Sequence, residues 1–82
     1  MFVAAALENI TVPAVRVTSS TSLVETAMMM TVADTETALV IDDGRCHGLV
    51  TATDLLRTLA TAPSLEQGWR SEVAQALTDG AP

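Results

Sequence analysis

Residues 38–54 read ALVIDDGRCHGLVTATD, and the fold class turns on this stretch. Ala38 to Ile41 form a continuous aliphatic run of strand length, which predicts a strand buried on both faces. Asp42, Asp43 and Gly44 supply turn chemistry, and Cys46 to Thr51 resume strand character, so residues 38–51 read as a β-hairpin. Thr51 and Asp54 then stand three residues apart at the mouth of a helix. That helix presents Leu55, Leu56 and Leu59 to the core and stops before Pro63, because proline disfavours helical geometry in the residue preceding it. The joint itself has two readings. A hydroxyl followed by an acid at the third position is a capping box that completes a helix end. The same groups offer acceptors to the vicinal hydroxyls of a ribose, beside peptide N–H groups that suit a phosphate.

Outward from the hairpin, Ala14 to Val17 read as a short strand with Arg16 pointing outward, followed by a polar turn over Thr18 to Thr21. Ser22 with Glu25 three positions on opens a helix to about Ala33, its inner stripe marked by Leu23, Ala27 and Met30. Met28 and Met29 include a position off that stripe, which reads as adaptable apolar surface for a partner. Asp34 to Thr37 make a polar connection. Beyond Pro63, Ser64 with Gln67 caps a last helix predicted over Leu65 to Leu77, marked by Leu65, Trp69, Val73 and Leu77, with Gly68 weakening it by about 1 kcal/mol relative to alanine. Thr78 to Pro82 read as a frayed tail, and the first nine residues as a short helix with Phe2, Val3, Ala6 and Leu7 on one face.

The whole chain has 82 residues, 49% of them apolar but with one Trp, one Phe and no Tyr, so an aliphatic sheet covered by helices is the expected core. A chain this short buries only about 60% of the surface it exposes when unfolded, and pairing with another module stabilises it. The formal net charge is −6, its cations are four scattered arginines, and this excludes nucleic acid and anionic membrane surfaces as natural partners. One cysteine, Cys46, rules out an internal disulfide, and the apolar start lacks the basic region of a signal peptide and is too short to span a membrane, so the expected compartment is the cytoplasm. Adjacent strand residues such as Cys46 and His47 point to opposite faces, which supports neither a metal site nor thiol catalysis. No spacing pairs a nucleophile with a base, so the chain is expected not to be an enzyme.

Taken in order, VTSSTSLVETAMMM (17–30) and ALVIDDGRCHGLVTATDLLRTLA (38–60) resemble the cystathionine-beta-synthase (CBS) domain family over about residues 10–62. The resemblance rests on the hydroxyl-bearing strand end at Val17 and Thr18, Ala27 and Met30 in the helix, the Asp-Asp-Gly turn, and Gly48, Thr51 and Asp54 in a GxxTxxD arrangement. It implies an α/β chain forming a single βαββα module, with short flanking helices, one domain over residues 1–82 and a C-terminal helix at about 64–77.

The resemblance further implies a non-catalytic regulatory module that works in pairs, packed sheet to sheet around a cleft for an adenosine-containing ligand. AMP, ADP, ATP and S-adenosylmethionine are the ligands so implied. Carried over residue by residue, Thr51 and Asp54 meet ribose or phosphate, and backbone around Val17 and Thr18 and over Thr37, Ala38 and Leu39 faces adenine. A second copy in a homodimer, or a second module of a longer chain, supplies the other half of the cleft. Where nucleotide-binding members carry basic residues, this chain has Thr37 and Thr53, whose neutral hydroxyls do not offset the charge of a di- or triphosphate. The competing expectation is a protein–protein interaction or dimerisation module with no bound nucleotide.

Overall fold

The computed structural model describes residues 13–79. Its elements run β1 (Val15–Val17), α1 (Leu23–Ala33), β2 (Thr37–Asp42), β3 (Arg45–Thr51), α2 (Ala52–Thr61), α3 (Leu65–Arg70) and α4 (Val73–Asp79). The sheet has the order β1-β2-β3, with β1 parallel to β2 and β2 antiparallel to β3. This is the βαββα arrangement expected, and the helix expected over the first nine residues lies outside the described part.

The hairpin forms where the turn residues place it. Asp42 pairs with Arg45, leaving a two-residue loop in which Asp43 and Gly44 both have positive φ (51° and 78°). Two left-handed residues in succession give a turn whose twist matches that of the flanking strands, which is why an Asp-Gly pair suits it. Further along, Val40 pairs with Gly48 but Ile41 with Cys46, so His47 is the extra residue of a β-bulge. Gly48 has φ 154°, and a Cβ built there would lie 2.7 Å from Leu77 Cδ1 on α4. The bulge therefore needs glycine both for its backbone and for the helix that crosses it.

Local caps set the helix starts. The Ser22 hydroxyl accepts from the Glu25 N–H at 3.1 Å, and the Ser64 hydroxyl accepts from the Gln67 N–H at 3.1 Å. α1 ends on Asp34, left-handed at φ 56°, whose N–H returns to the Met30 and Thr31 carbonyls. α2 gives way at Ala62 to extended backbone (φ −75°, ψ 154°) before Pro63, as expected.

Alternation along the strands puts Val17, Ala38, Val40 and Val50 on one sheet face, where all four are buried. The helices cover that face with Leu23, Met30, Leu55, Leu59, Val73 and Ala76, and Trp69 packs against the same cluster. The buried hydroxyls of Thr26 and Thr58 donate to the Ser22 and Asp54 carbonyls one turn back. Among the described residues no buried side-chain nitrogen or oxygen lacks a partner.

Five expectations are corrected by the structure. β2 is buried on one face only, because helices cover Ala38 and Val40 while Leu39 and Ile41 look the other way and stay half-exposed. Leu56 is 65% exposed, because the stripe that reaches the sheet is Leu55, Thr58 and Leu59, and Leu56 is turned about 100° from Leu55. Leu65 is likewise 66% exposed. The single helix expected over 65–77 is two, interrupted at Ser71 and Glu72, where the backbone instead pairs with the turn before α1. Leu23 N–H donates to the Ser71 carbonyl at 2.8 Å, and Val73 N–H donates to the Thr21 carbonyl at 2.6 Å. α4 continues to Asp79, past the start of the tail expected to fray at Thr78.

Candidate functional site

The joint between β3 and α2 is a complete capping box. Thr51 is the N-cap, and its hydroxyl accepts from the Asp54 N–H at 3.3 Å. Asp54 Oδ2 accepts from the Thr51 N–H at 2.9 Å and from the Thr51 hydroxyl at 3.1 Å. Asp54 Oδ1 accepts from Arg57 Nη1 at 3.0 Å. The Thr51 N–H, then the Thr51 hydroxyl and the Arg57 guanidinium, hold the Asp54 carboxyl below the ordinary aspartate range, against a smaller opposing push from burial. The structural reading of this pair is thus realised in full. Each carboxylate oxygen has two lone pairs, so an outer acceptor position persists on Oδ1.

Three of the expected site residues meet at this end of the sheet. Thr37 is the register partner of Thr51, and alternation sets both on the face that carries Leu39 and Leu49, away from the helices. The hydroxyls of Thr35 and Thr37 both donate to the Pro13 carbonyl, tying the chain entering β1 to the start of β2. Ala52, the first residue of α2, donates its N–H to the Glu36 carbonyl at 3.0 Å. A cavity of about 460 Å³ opens here, lined by Pro13, Met30, Thr31, Asp34, Thr35, Glu36 and Thr37. That volume falls within the range of small-molecule sites.

The remaining expected residues are elsewhere. Thr18 follows the opposite end of β1, where its hydroxyl lies 3.2 Å from that of Ser20 and 3.1 Å from that of Thr21. Together with Val17, Arg16 and Ile41 it borders a separate cavity of about 380 Å³. Val17 and Ala38 are buried among the helices, so their side chains face away from any cleft on the open side of the sheet. Leu39 is on that open side, next to Thr37. The sequence reading missed Pro13, Asp34, Thr35 and Glu36 as lining residues. Their signal was no more than a polar connection between α1 and β2, and the loop becomes part of a site only because β1 and β2 run parallel.

Cys46 and His47 form no joint site. His47 Nε2 is 3.1 Å from Asp42 Oδ2, and Asp42 Oδ1 accepts from the Ser19 N–H at 3.1 Å. The Ser19 hydrogen bonds, with His47 alongside, hold the Asp42 carboxyl below its ordinary range. No group of three or more metal-ligating side chains occurs among the described residues. No helix among them is long and apolar enough to cross a membrane.

A three-stranded mixed sheet in βαββα order, with a TxxD joint at one end, defines a small α/β module. The CBS domain family model matches residues 6–61, and the chain belongs to that family. CBS domains are typically regulatory rather than catalytic. Neither a curated protein nor a solved structure matches the chain.

Proposed function

We propose that this CBS module pairs through its open sheet face with a second module and binds an adenosine-containing ligand at the end where Thr37, Thr51 and Asp54 converge. The observation that carries the reading is that convergence, at which Thr37 also lines a cavity of about 460 Å³. The open face supports the pairing: it carries Leu39, Ile41 and Leu49, the last 48% exposed, with Arg16 at its margin. Covering such a face removes apolar surface from water. A ligand that prefers one arrangement of the two modules shifts their equilibrium, and a partner reads that shift.

Sedimentation velocity over a range of protein concentrations tests the pairing. Leu49→Asp places a charge in the face and is expected to weaken self-association at least about tenfold while leaving the fold intact. A wild-type protein that stays monomeric at every concentration removes the homodimer form of the reading. Equilibrium dialysis of the paired protein against radiolabelled adenosine tests the ligand half.

A second reading, an interaction module with an empty cleft, is favoured by α1. Between Glu25 and Asp34 that helix carries no charge, and beyond its buried stripe it exposes Met28 (62%) and Val32 (88%). A helix apolar on all sides is ordinarily covered on all sides. Binding of a partner that protects Met28 and Val32 from hydrogen exchange, with no adenosyl ligand bound, selects this reading.

A further inference from the structure

We propose that the groove between α1, α2 and α3 is a docking site for a basic amphipathic helix of a partner protein. The inference deepens the second reading above, that of an interaction module, and rests on it. It assigns the shape and the charge of what binds.

Two cavities make up the groove. One, of about 290 Å³, lies between α1 and α2, with Ala52, Leu56 and Leu59 among its walls. The other, of about 310 Å³, runs along the outside of α1 past Val24, Met28 and Val32. Ala27, Thr31 and Trp69 border both, so the two form one continuous depression. Its rim is apolar and open to solvent, because Val24, Met28, Val32 and Leu56 are all exposed. Val24, Met28 and Val32 stand four residues apart and form one row along α1, with the smaller Ala27 and Thr31 in a row beside it. A ridge next to a shallow row is the relief into which a second helix packs. From Val24 to Val32 the row is about 12 Å long, which spans a little over two turns of such a helix.

Charge decides the kind of helix. No cation lines either cavity, whereas Glu36 lines the first. At the end near Val32, Asp34 caps α1 and the last turn holds no basic residue, so the negative end of the helix dipole is unopposed. At the other end, the bridge between Ser22 and Glu72 brings a further acid beside the start of α1. Among the described residues Asp34, Glu36 and Glu72 have no ion-pair partner. The arginines on the bordering helices are already engaged, Arg57 by Asp54 at 3.0 Å and Arg70 by Glu66 at 2.8 Å. A helix with aliphatic side chains over Met28 and Trp69 and lysine or arginine at its margins complements this surface in both respects.

The same charges argue against two other occupants. A second copy packed here about a twofold axis opposes acid to acid whether the helices run parallel or antiparallel, because both ends of the groove are acidic. Residues 1–12 of this chain have Glu8 as their one charged side chain, so they bring apolar groups without the cation.

Trp69, the one tryptophan of the chain, borders both cavities and reports directly on the groove. The test is titration of the full chain, followed by Trp69 emission, with a tryptophan-free helical peptide of about 14 residues that has leucines on one face and lysines elsewhere. A twin peptide carries glutamate in place of every lysine. The lysine peptide is expected to shift the emission to shorter wavelength and to bind at least about tenfold tighter than its twin, a gap that narrows as salt is raised. The double variant Val32→Ser, Leu56→Ser changes two exposed positions and keeps the fold, as checked by circular dichroism; it is expected to weaken the lysine peptide at least about tenfold. Glu36→Gln is expected to weaken it about twofold to fivefold. Equal binding of the two peptides overturns the assigned charge and leaves the docking groove of the interaction reading standing. Lysine-peptide binding unchanged in the double variant overturns the groove as its seat. Emission that shifts with protein concentration, without peptide, assigns the groove to a second copy, and emission that shifts in Phe2→Asp assigns it to the start of this chain; either overturns the partner helix. No response of Trp69 to either peptide overturns the inference together with the helical interaction surface on which it rests.

Discussion

Replacing Asp54 with alanine removes, in one step, the acceptor for the Thr51 N–H and hydroxyl and the partner of Arg57. The Asp54 side chain is 19% exposed, so its hydrogen bonds are sheltered, whereas Arg57 is 49% exposed and its ion pair is screened. Charge-assisted capping bonds contribute about 1 to 1.5 kcal/mol and an exposed pair of this kind about 0.3 to 0.5, so the expected loss is about 1.3 to 2 kcal/mol. For a domain of this size that lowers Tm by roughly 5 to 16 °C. Thr51→Ala removes the acceptor for the Asp54 N–H and is expected to cost about 1 kcal/mol. Because the two side chains act on each other, the double variant falls short of the sum by about 0.5 to 1 kcal/mol. The assay is thermal unfolding followed by circular dichroism at one fixed protein concentration, since a pairing module has a concentration-dependent Tm.

The same comparison has a pH dependence of known sign. The folded-state pKa of Asp54 is lowered from 3.8, so its contribution is complete above that value and is lost as the pH falls through the lower folded value. The Tm difference between wild type and Asp54→Ala is therefore expected to hold from neutral pH to about 5 and to shrink below it. An alanine variant with wild-type Tm at neutral pH, or a difference that grows on acidification, refutes the capping geometry and the charge state assigned to Asp54.

Two further substitutions probe the packing around the site. Gly68→Leu on α3 drives a side chain into space where a Cβ alone would stand 2.8 Å from Leu59 Cδ2 and 3.1 Å from the Ala62 Cβ. A loss of about 2 kcal/mol or more is expected, read as a lower urea midpoint at constant m-value; an unchanged midpoint contradicts the close approach of α2 and α3. Leu23→Ala empties a fully buried position beneath α1 and is expected to cost about 3 kcal/mol. Protection of the β2 amides against hydrogen exchange should fall accordingly, and a loss below about 1 kcal/mol places Leu23 outside the core.

The features readable along the chain are those whose causes lie within a few residues. Ser22, Thr51 and Ser64 cap helices through bonds to the third residue on, and Asp43 and Gly44 close the hairpin through their own φ angles. Such interactions leave a mark in spacing. Thr51 and Asp54 were legible for the same reason, and so was their double meaning, since the groups that cap a helix are also the ones a ribose could meet.

What the fold alone decided involves residues far apart in sequence. Periodicity marked Leu55, Leu56 and Leu59 alike, but the sheet accepts Leu55 and Leu59 and leaves Leu56 in solvent. The last helix breaks at Ser71 and Glu72 because main-chain bonds to Thr21 and Leu23, some fifty residues back, replace the helical ones. Gly68 read as a weakness of a helix and is instead the point where α3 touches α2. The site divided in the same way. Thr18 follows β1 and Thr37 opens β2, but the parallel pairing of β1 with β2 sends Thr18 to one end of the sheet and brings Pro13, Asp34 and Glu36 to the other. Local hydrogen bonding is written in the order of neighbouring residues. The charge around the cavity is set by which strand ends lie side by side, and that is a property of the assembled sheet.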